Sequence, residues 1–381
     1  MRIGFLFNHD GIHQIAHTVP IVAMLAADGI DVEVMTSTPE QEEIVRGLLP
    51  ANTKARFTSL ELGPLARAID GIAGLFAPFR RVAILRQNLD RFAALDALVV
   101  PETTSALLKD RFGLAKLKLI YLPHGAGDRS IGFRDVTRSF DLVLLSGRKV
   151  RDRMLASGII GPENHAIVGY PKFDAVGPRH VPRFFENDRP TILYNPHFDP
   201  LLSSWYKMGE QVLDWFARQD RYNLIFAPHV MLFKRRLHAS VEHRQMRIRR
   251  ALPTRFMNLP HIRIDTGSTC SIDMSYTRAA DIYLGDVSSQ IYEWILRPRP
   301  AIFLNSHRAQ WNGNPNYSHW KLGEVLDDVA ELQAALERAE ASPHRFAEQQ
   351  AIARDDTFSL SDVPSGRRAA DAILSFMKSH P

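Results

Sequence analysis

The sequence predicts two doubly wound α/β domains, each a Rossmann-like parallel sheet covered by helices, facing one another across a cleft. Three observations lead there. Short apolar runs alternate with amphipathic helical patterns, a proline-rich interruption falls midway, and the length of 381 residues suits two domains of ~150–200 residues each. Strands buried on both faces read as continuous Val, Ile and Leu runs, because helices cover both sides of a parallel sheet.

In the first half "RIGFLFN" reads as a strand, "TVPIVAMLAADG" as a helix and "IDVEVMTS" as the next strand. "DALVVPE", "LKLIYLP", "DLVLLSG" and "HAIVGYP" follow, each ending in a polar turn or a helical pattern. Residues Gly177 to Pro190, "GPRHVPRFFENDRP", combine prolines and charges with little periodicity and read as a linker. The alternation resumes with "TILYNPH", "YNLIFAPH", "HIRIDTG", "DIYLGD" and "PAIFLN". The expected domains are residues 1–178 and 190–358. A C-terminal helix over 359–381, free to cross back, follows the expected loop "ARDDTFSLSD".

Composition narrows the class. Hydrophobic content of 45% and charged content of 23% are those of a globular chain, not a disordered or fibrous one. A lone cysteine, Cys270, excludes a disulfide framework or a Cys-based zinc site and suits a reducing compartment. The opening apolar run is too short for a signal peptide, and no stretch of about 18 apolar residues could span a membrane. A cytoplasmic protein is expected. The net charge of +5 favours acidic partners without naming one.

Ligands in doubly wound sheets sit beyond the carboxyl ends of the strands. At such an end, "LGDVSSQIYEWI" places Ser288 and Ser289 where a helix begins, and unpaired N–H groups there favour an anion. The plain alternative is a serine N-cap. His124 in "YLPHGAGDRS" and His229 in "IFAPHVM" also end strands, and an imidazole there can take a proton or offset phosphate charge. Gly125 lets a ligand approach the backbone closely. His165, His180, His238, His243 and His261 are read as ordinary satisfied histidines. Arg129 and Lys172 read first as solvated surface cations, with phosphate contact as the second reading of each. Glu293 and Asp286 could meet a ribose or glycerol hydroxyl, with a satisfied helix carboxylate the alternative for Glu293.

The ordered set "YLPHGAG", "VGYPKFD", "ILYNPHFDP", "FAPH" and "DIYLGDVSSQIYEWILRPRPAIF" resembles the CDP-glycerol glycerophosphotransferases of teichoic-acid and capsule synthesis, from about His124 to Asp356. The resemblance implies a GT-B fold and transfer of glycerol phosphate from a CDP-activated donor to a hydroxyl of a lipid-linked or glycan acceptor. It implies His124 as the acceptor-activating base, His229 at the phosphates, and Ser288 and Ser289 on the donor diphosphate. The polar Asn195 joins the expected donor contacts. GT-B enzymes generally work without a divalent metal, and no clustered Asp-x-Asp pair or cofactor motif is present. Asp327 and Asp328 read as a helix-start signal. Alternatives are a GT-B sugar transferase or sugar-nucleotide epimerase using a UDP- or CMP-sugar, and a non-catalytic nucleotide-binding module.

Two basic stretches, "GIAGLFAPFRRVAILRQNLDRF" from Gly71 and "FKRRLHASVEHRQMRIRR" from Phe233, point to peripheral docking at an anionic inner membrane face or to a lipid-diphosphate acceptor, with a solvated charged face as the plain alternative. Nucleic acid is not expected, because aromatic interleaving and recognised motifs are missing.

Overall fold

A computed structural model describes residues 1–9, 11–63, 79–176, 181–240 and 244–380. The chain groups into two compact units. The first comprises Met1–Ala126, Phe133–Gly177 and Asp356–Pro381, and the second Gly127–Gly132 and Pro178–Asp355.

The first unit holds a seven-stranded parallel sheet. Its strands are β1 (Arg2–Phe7), β2 (Asp31–Thr36), β3 (Arg56–Ser59), β4 (Ala97–Val100), β5 (Lys118–Tyr121), β6 (Leu142–Leu145) and β7 (His165–Ile167). They are ordered β3-β2-β1-β4-β5-β6-β7. The central strands are apolar throughout and buried on both faces, as the sequence pattern requires. Against one face packs Val19–Ala27, and Ala369, Ala370 and Ile373 of the terminal helix Ser365–Ser379 join the same core. On the other face Ile84 and Leu85 of the helix Phe79–Gln87 are buried. The apolar side of this arginine-rich stretch is therefore core, which corrects its reading as an interfacial helix. Its first part, residues 71–78, lies outside the described residues.

The second unit holds a six-stranded parallel sheet ordered β12-β9-β8-β13-β14-β15. Here β8 is Thr191–Asn195, β9 Asn223–Phe226, β12 Ile262–Ile264, β13 Ile282–Gly285, β14 Ala301–Leu304 and β15 Glu324–Leu326. A separate antiparallel hairpin, β10 (Leu237–Ser240) and β11 (Gln245–Ile248), occupies the second basic stretch. The linker residues 181–190 are irregular and carry an exposed Arg183–Asp188 ion pair at 2.7 Å. Asp328 caps a helical turn by accepting from Ala330 N, the start signal expected of that aspartate. The "ARDD" segment departs from expectation. It ends the helix Ala347–Thr357 rather than forming a loop, because no breaker precedes Phe358. Phe358 is buried, and Ser359 N donates to the Ser146 carbonyl just beyond.

Candidate functional site

Because β9, β8 and β13 are neighbours, their carboxyl ends bring three loops together. Asp286, at the end of β13, is fully buried and acts as the knot. Its carboxylate accepts from His197 N at 2.9 Å, Ser204 N at 2.6 Å, Ser204 Oγ at 2.9 Å and Val287 N at 2.7 Å. Burial raises its pKa to about 6, against the opposing pull of these donors. His229 N donates to the Pro196 carbonyl at 3.0 Å, so the β8 and β9 loops are tied as well. The His197 and His229 rings lie 5.4 Å apart, with Phe198 against both. His197 Nδ1 accepts from Asp199 N at 3.0 Å, which directs Nε2 elsewhere. Burial, with the nearby Arg129 charge, holds His197 well below the usual histidine range. His229 Nδ1 accepts from Met231 N at 3.2 Å.

The two serines differ. Ser288 is buried, bonds the Tyr283 hydroxyl, and accepts from Gln290 N at 3.3 Å. Ser289 is exposed, and its hydroxyl makes no hydrogen bond among the described residues. The helix they precede, Gln290–Trp294, has only five residues. Its dipole is therefore slight, and any anion binding here falls to the hydroxyl and neighbouring cations.

The segment Gly127–Gly132 belongs to this unit and brings in two charges. A Cβ on Gly127 would sit 3.2 Å from Ser289 Cβ, so any larger residue there would press on the serine turn. Asp128 accepts from the Tyr292 hydroxyl at 2.7 Å, from His319 N at 2.9 Å, and pairs with His319 Nδ1 at 3.0 Å. The Asp286 carbonyl in turn accepts from Trp320 Nε1 at 2.9 Å, with His319 Nε2 at 3.3 Å. Arg129 lies 3.8 Å from Asp199 Oδ2, with most of its side chain covered rather than solvated.

His124 lies in the first unit. Its Nδ1 donates to the Pro101 carbonyl at 2.9 Å, and Nε2 lies 3.2 Å from the Gln14 amide nitrogen. That pairing fixes a neutral ring whose Nε2 carries the lone pair. Burial lowers its pKa, and Arg81 adds to the effect. Three histidines of the opening "NHDGIHQIAH" gather near it: the His13 ring is 6.0 Å away, and His9 and His17 are buried within electrostatic reach. Neither His9 ring nitrogen makes a hydrogen bond among the described residues, although backbone groups of His9 and Gly11 favour its proton.

The remaining candidates fall in several places. Asn195 is buried and donates to the Ala227 carbonyl at 2.6 Å, joining the ends of β8 and β9. Glu293 is buried in the short helix after the serines. Gly125 is half-buried beside His124. Lys172 is buried near His17, which corrects its reading as a solvated cation. His165, His238 and His261 each bond a backbone carbonyl, as expected of satisfied histidines, while His180 and His243 lie outside the described residues. Among the described residues, no three His, Cys, Asp or Glu side chains gather as a metal site. Sequence reasoning passed over Asp128, His319 and the N-terminal histidines. The four-residue spacing of His9, His13 and His17 was the available signal for the last.

Solved structures match this architecture along the whole chain. The wall teichoic acid polymerase TagF superposes with a TM-score of 0.63 at 12% identity, covering 99% of this chain and 89% of that one. A UDP-GlcNAc 2-epimerase from Neisseria meningitidis, bound to UDP-GlcNAc, gives 0.59 at 12% identity and covers 100% of both chains. The fold is of the GT-B type. The glycotransferase of kitacinnamycin follows with a TM-score of 0.56 at 14% identity, covering 98% of both chains. Identities this low carry the fold alone. No protein-family model and no curated protein sequence matches the chain.

Proposed function

We propose that the protein is a transferase that moves a glycerol-phosphate or related phospho-polyol unit from a CDP-activated donor to a hydroxyl of a cell-envelope glycan or lipid-linked acceptor. The observation that carries this is the knot at Asp286, which gathers His197, His229 and the Ser288–Ser289 turn at the carboxyl ends of adjacent strands. With Arg129 beside them, these groups offer hydroxyl, imidazole and guanidinium donors to a diphosphate. The polymerase TagF, of like fold, has been soaked with CDPG, and the epimerase neighbour is bound to UDP-GlcNAc, so a nucleotide-activated donor suits the fold and the cytidine donor is the part to test.

In the proposed step the acceptor oxygen attacks the β-phosphorus and its proton passes to His124 Nε2. The bond to the bridging oxygen breaks, and CMP leaves with that electron pair. Positioning and charge stabilisation supply most of the rate, and no divalent metal is required. The Pro101 carbonyl keeps the lone pair on Nε2, and a bound hydroxyl would replace the Gln14 amide there.

Thermal unfolding with CMP, CDP, CDP-glycerol, UDP and UDP-GlcNAc tests the reading. A donor at a hundred times its Kd adds ~2.7 kcal/mol of stability. We expect cytidine compounds to protect, Ser289→Ala to weaken that protection by ~1–3 kcal/mol, and His124→Ala to leave it intact while turnover falls ~10²–10⁴-fold. Protection by uridine compounds alone overturns the proposal.

A further inference from the structure

The hairpin β10–β11 has two unlike faces. Its register pairs Leu237 with Ile248 and Ala239 with Met246, so all four side chains share one face. That face is open: Leu237 is 45% exposed, Met246 67% and Ile248 69%. On the opposite face only β10 packs. His238 is buried and bonds the Leu232 and Arg235 carbonyls, and Ser240 is buried, while their β11 partners Arg247 and Gln245 are exposed; Arg249 next to the hairpin lies 4.2 Å over the Phe233 ring.

A strand pair normally turns its apolar side inward, so an apolar face held outward by a buried polar one needs a partner. The surrounding charge says which kind. From Phe233 to Arg250 the sequence holds seven Lys and Arg against the single acid Glu242. Arg235, Arg236, Arg244, Arg247 and Arg250 are exposed, and none forms an ion pair among the described residues. An apolar patch on a hairpin this rich in exposed arginines matches a bilayer interface, where acyl chains lie beneath anionic headgroups.

We infer that the outward face of this hairpin is a docking surface for an anionic phospholipid bilayer, with Met246, Ile248 and Leu237 entering the interface and the flanking arginines contacting headgroups. The inference stands apart from the donor chemistry, since none of these residues belongs to the knot at Asp286. It does not use the other basic stretch, whose apolar side is core.

The test is co-sedimentation of the full chain with vesicles of phosphatidylcholine alone or mixed with phosphatidylglycerol. We expect binding to the mixed vesicles only, weakened by salt and not competed by inorganic phosphate at matched ionic strength. Met246→Gln with Ile248→Gln should lower partitioning at least about tenfold, and Met246→Trp should raise it. Arg244→Gln and Arg250→Gln should each lower it about fivefold. All four sites are exposed, so the unfolding midpoint serves as a control. Equal binding to both vesicles, no binding to either, or unchanged binding of the double glutamine variant overturns the inference. So does a concentration-dependent dimer lost in that variant, which would assign the face to a second copy of the chain.

Discussion

Asp128 Oδ2 lies 3.0 Å from His319 Nδ1, with both side chains buried, and joins a segment just past His124 to the loop that supports the serine turn. The carboxylate also satisfies His319 N and the Tyr292 hydroxyl, so removing it strands three buried donors at once. Leaving a buried donor without its partner typically costs ~1–3 kcal/mol. Asp128→Ala should therefore lower the stability of the second unit by about that amount, and His319→Ala by less. All five tryptophans lie in this unit, so the urea midpoint of tryptophan fluorescence reads it alone. A loss under ~1 kcal/mol for Asp128→Ala would show the network to be dispensable.

Asp286 should make the same unit less stable as pH rises through the acid range. Its folded pKa is about 6, while an unfolded aspartate titrates near 3.9. Between those values the folded state holds a proton that the unfolded state has released. The stabilising contribution is complete below about pH 4 and is lost by about pH 6, a change of about 3 kcal/mol. Asp286→Asn should abolish this dependence. It should also destabilise at every pH, because an amide nitrogen would face backbone donors now held by the carboxylate. Unfolding midpoints from pH 4 to 7 decide the matter, and a wild-type slope of opposite sign refutes it.

His9 carries the opposite dependence in the first unit. Burial, with the charges of His124 and Arg81, lowers its pKa to about 3, against ~6.5 for an unfolded histidine. The contribution is complete above pH 6.5 and falls as pH drops towards 3, by about 1.4 kcal/mol per pH unit. Amide-exchange protection factors in β1 and β4, referred to the intrinsic rate at each pH, should fall steeply below pH 6, and His9→Gln should flatten that fall. An unchanged profile in the variant would place the acid sensitivity at His17 or elsewhere.

The sheet strands were legible because burial on both faces leaves uninterrupted Val, Ile and Leu runs such as "ALVV" and "LVLL". β3 and β15, "RFTS" and "EVL", escaped because edge strands need no such run. The hairpin escaped for another reason. Leu237, Ala239, Met246 and Ile248 do alternate, but the arginines between them read as a charged surface. The Ser288–Ser289 turn was legible as a place, since a strand gives way there to a helical pattern. Which serine is buried was not, because that depends on Tyr283 and on Gly127, far away in the chain. Asp128 was invisible for the same reason: its three partners come from residues 292 and 319.

Metal independence has a direct readout. If hydroxyl, imidazole and guanidinium groups carry the diphosphate, turnover should be unchanged by EDTA and by added magnesium or manganese. Neutralising Arg129, the cation beside Asp199 and His197, should then cost more than removing any metal. Arg129→Gln should weaken donor binding by ~1.5–3 kcal/mol. Loss of turnover in EDTA, restored by magnesium, would move the charge stabilisation to an ion.

The pH profile of turnover tests His124 more closely than its removal does. A general base works when its lone pair is free, and burial holds the His124 proton affinity below the ordinary histidine value. The acid limb of kcat/KM should therefore lie below pH 6.5, with turnover flat through neutrality. Arg81 contributes to that lowering, so Arg81→Gln should move the limb towards higher pH while donor binding stays unchanged. Gln14→Leu makes a second probe. It removes the amide 3.2 Å from Nε2 and should alter acceptor KM more than donor KM, without moving the limb in the direction Arg81→Gln does. An acid limb above pH 6.5 in the wild type, or one that ignores Arg81→Gln, would detach the essential base from His124.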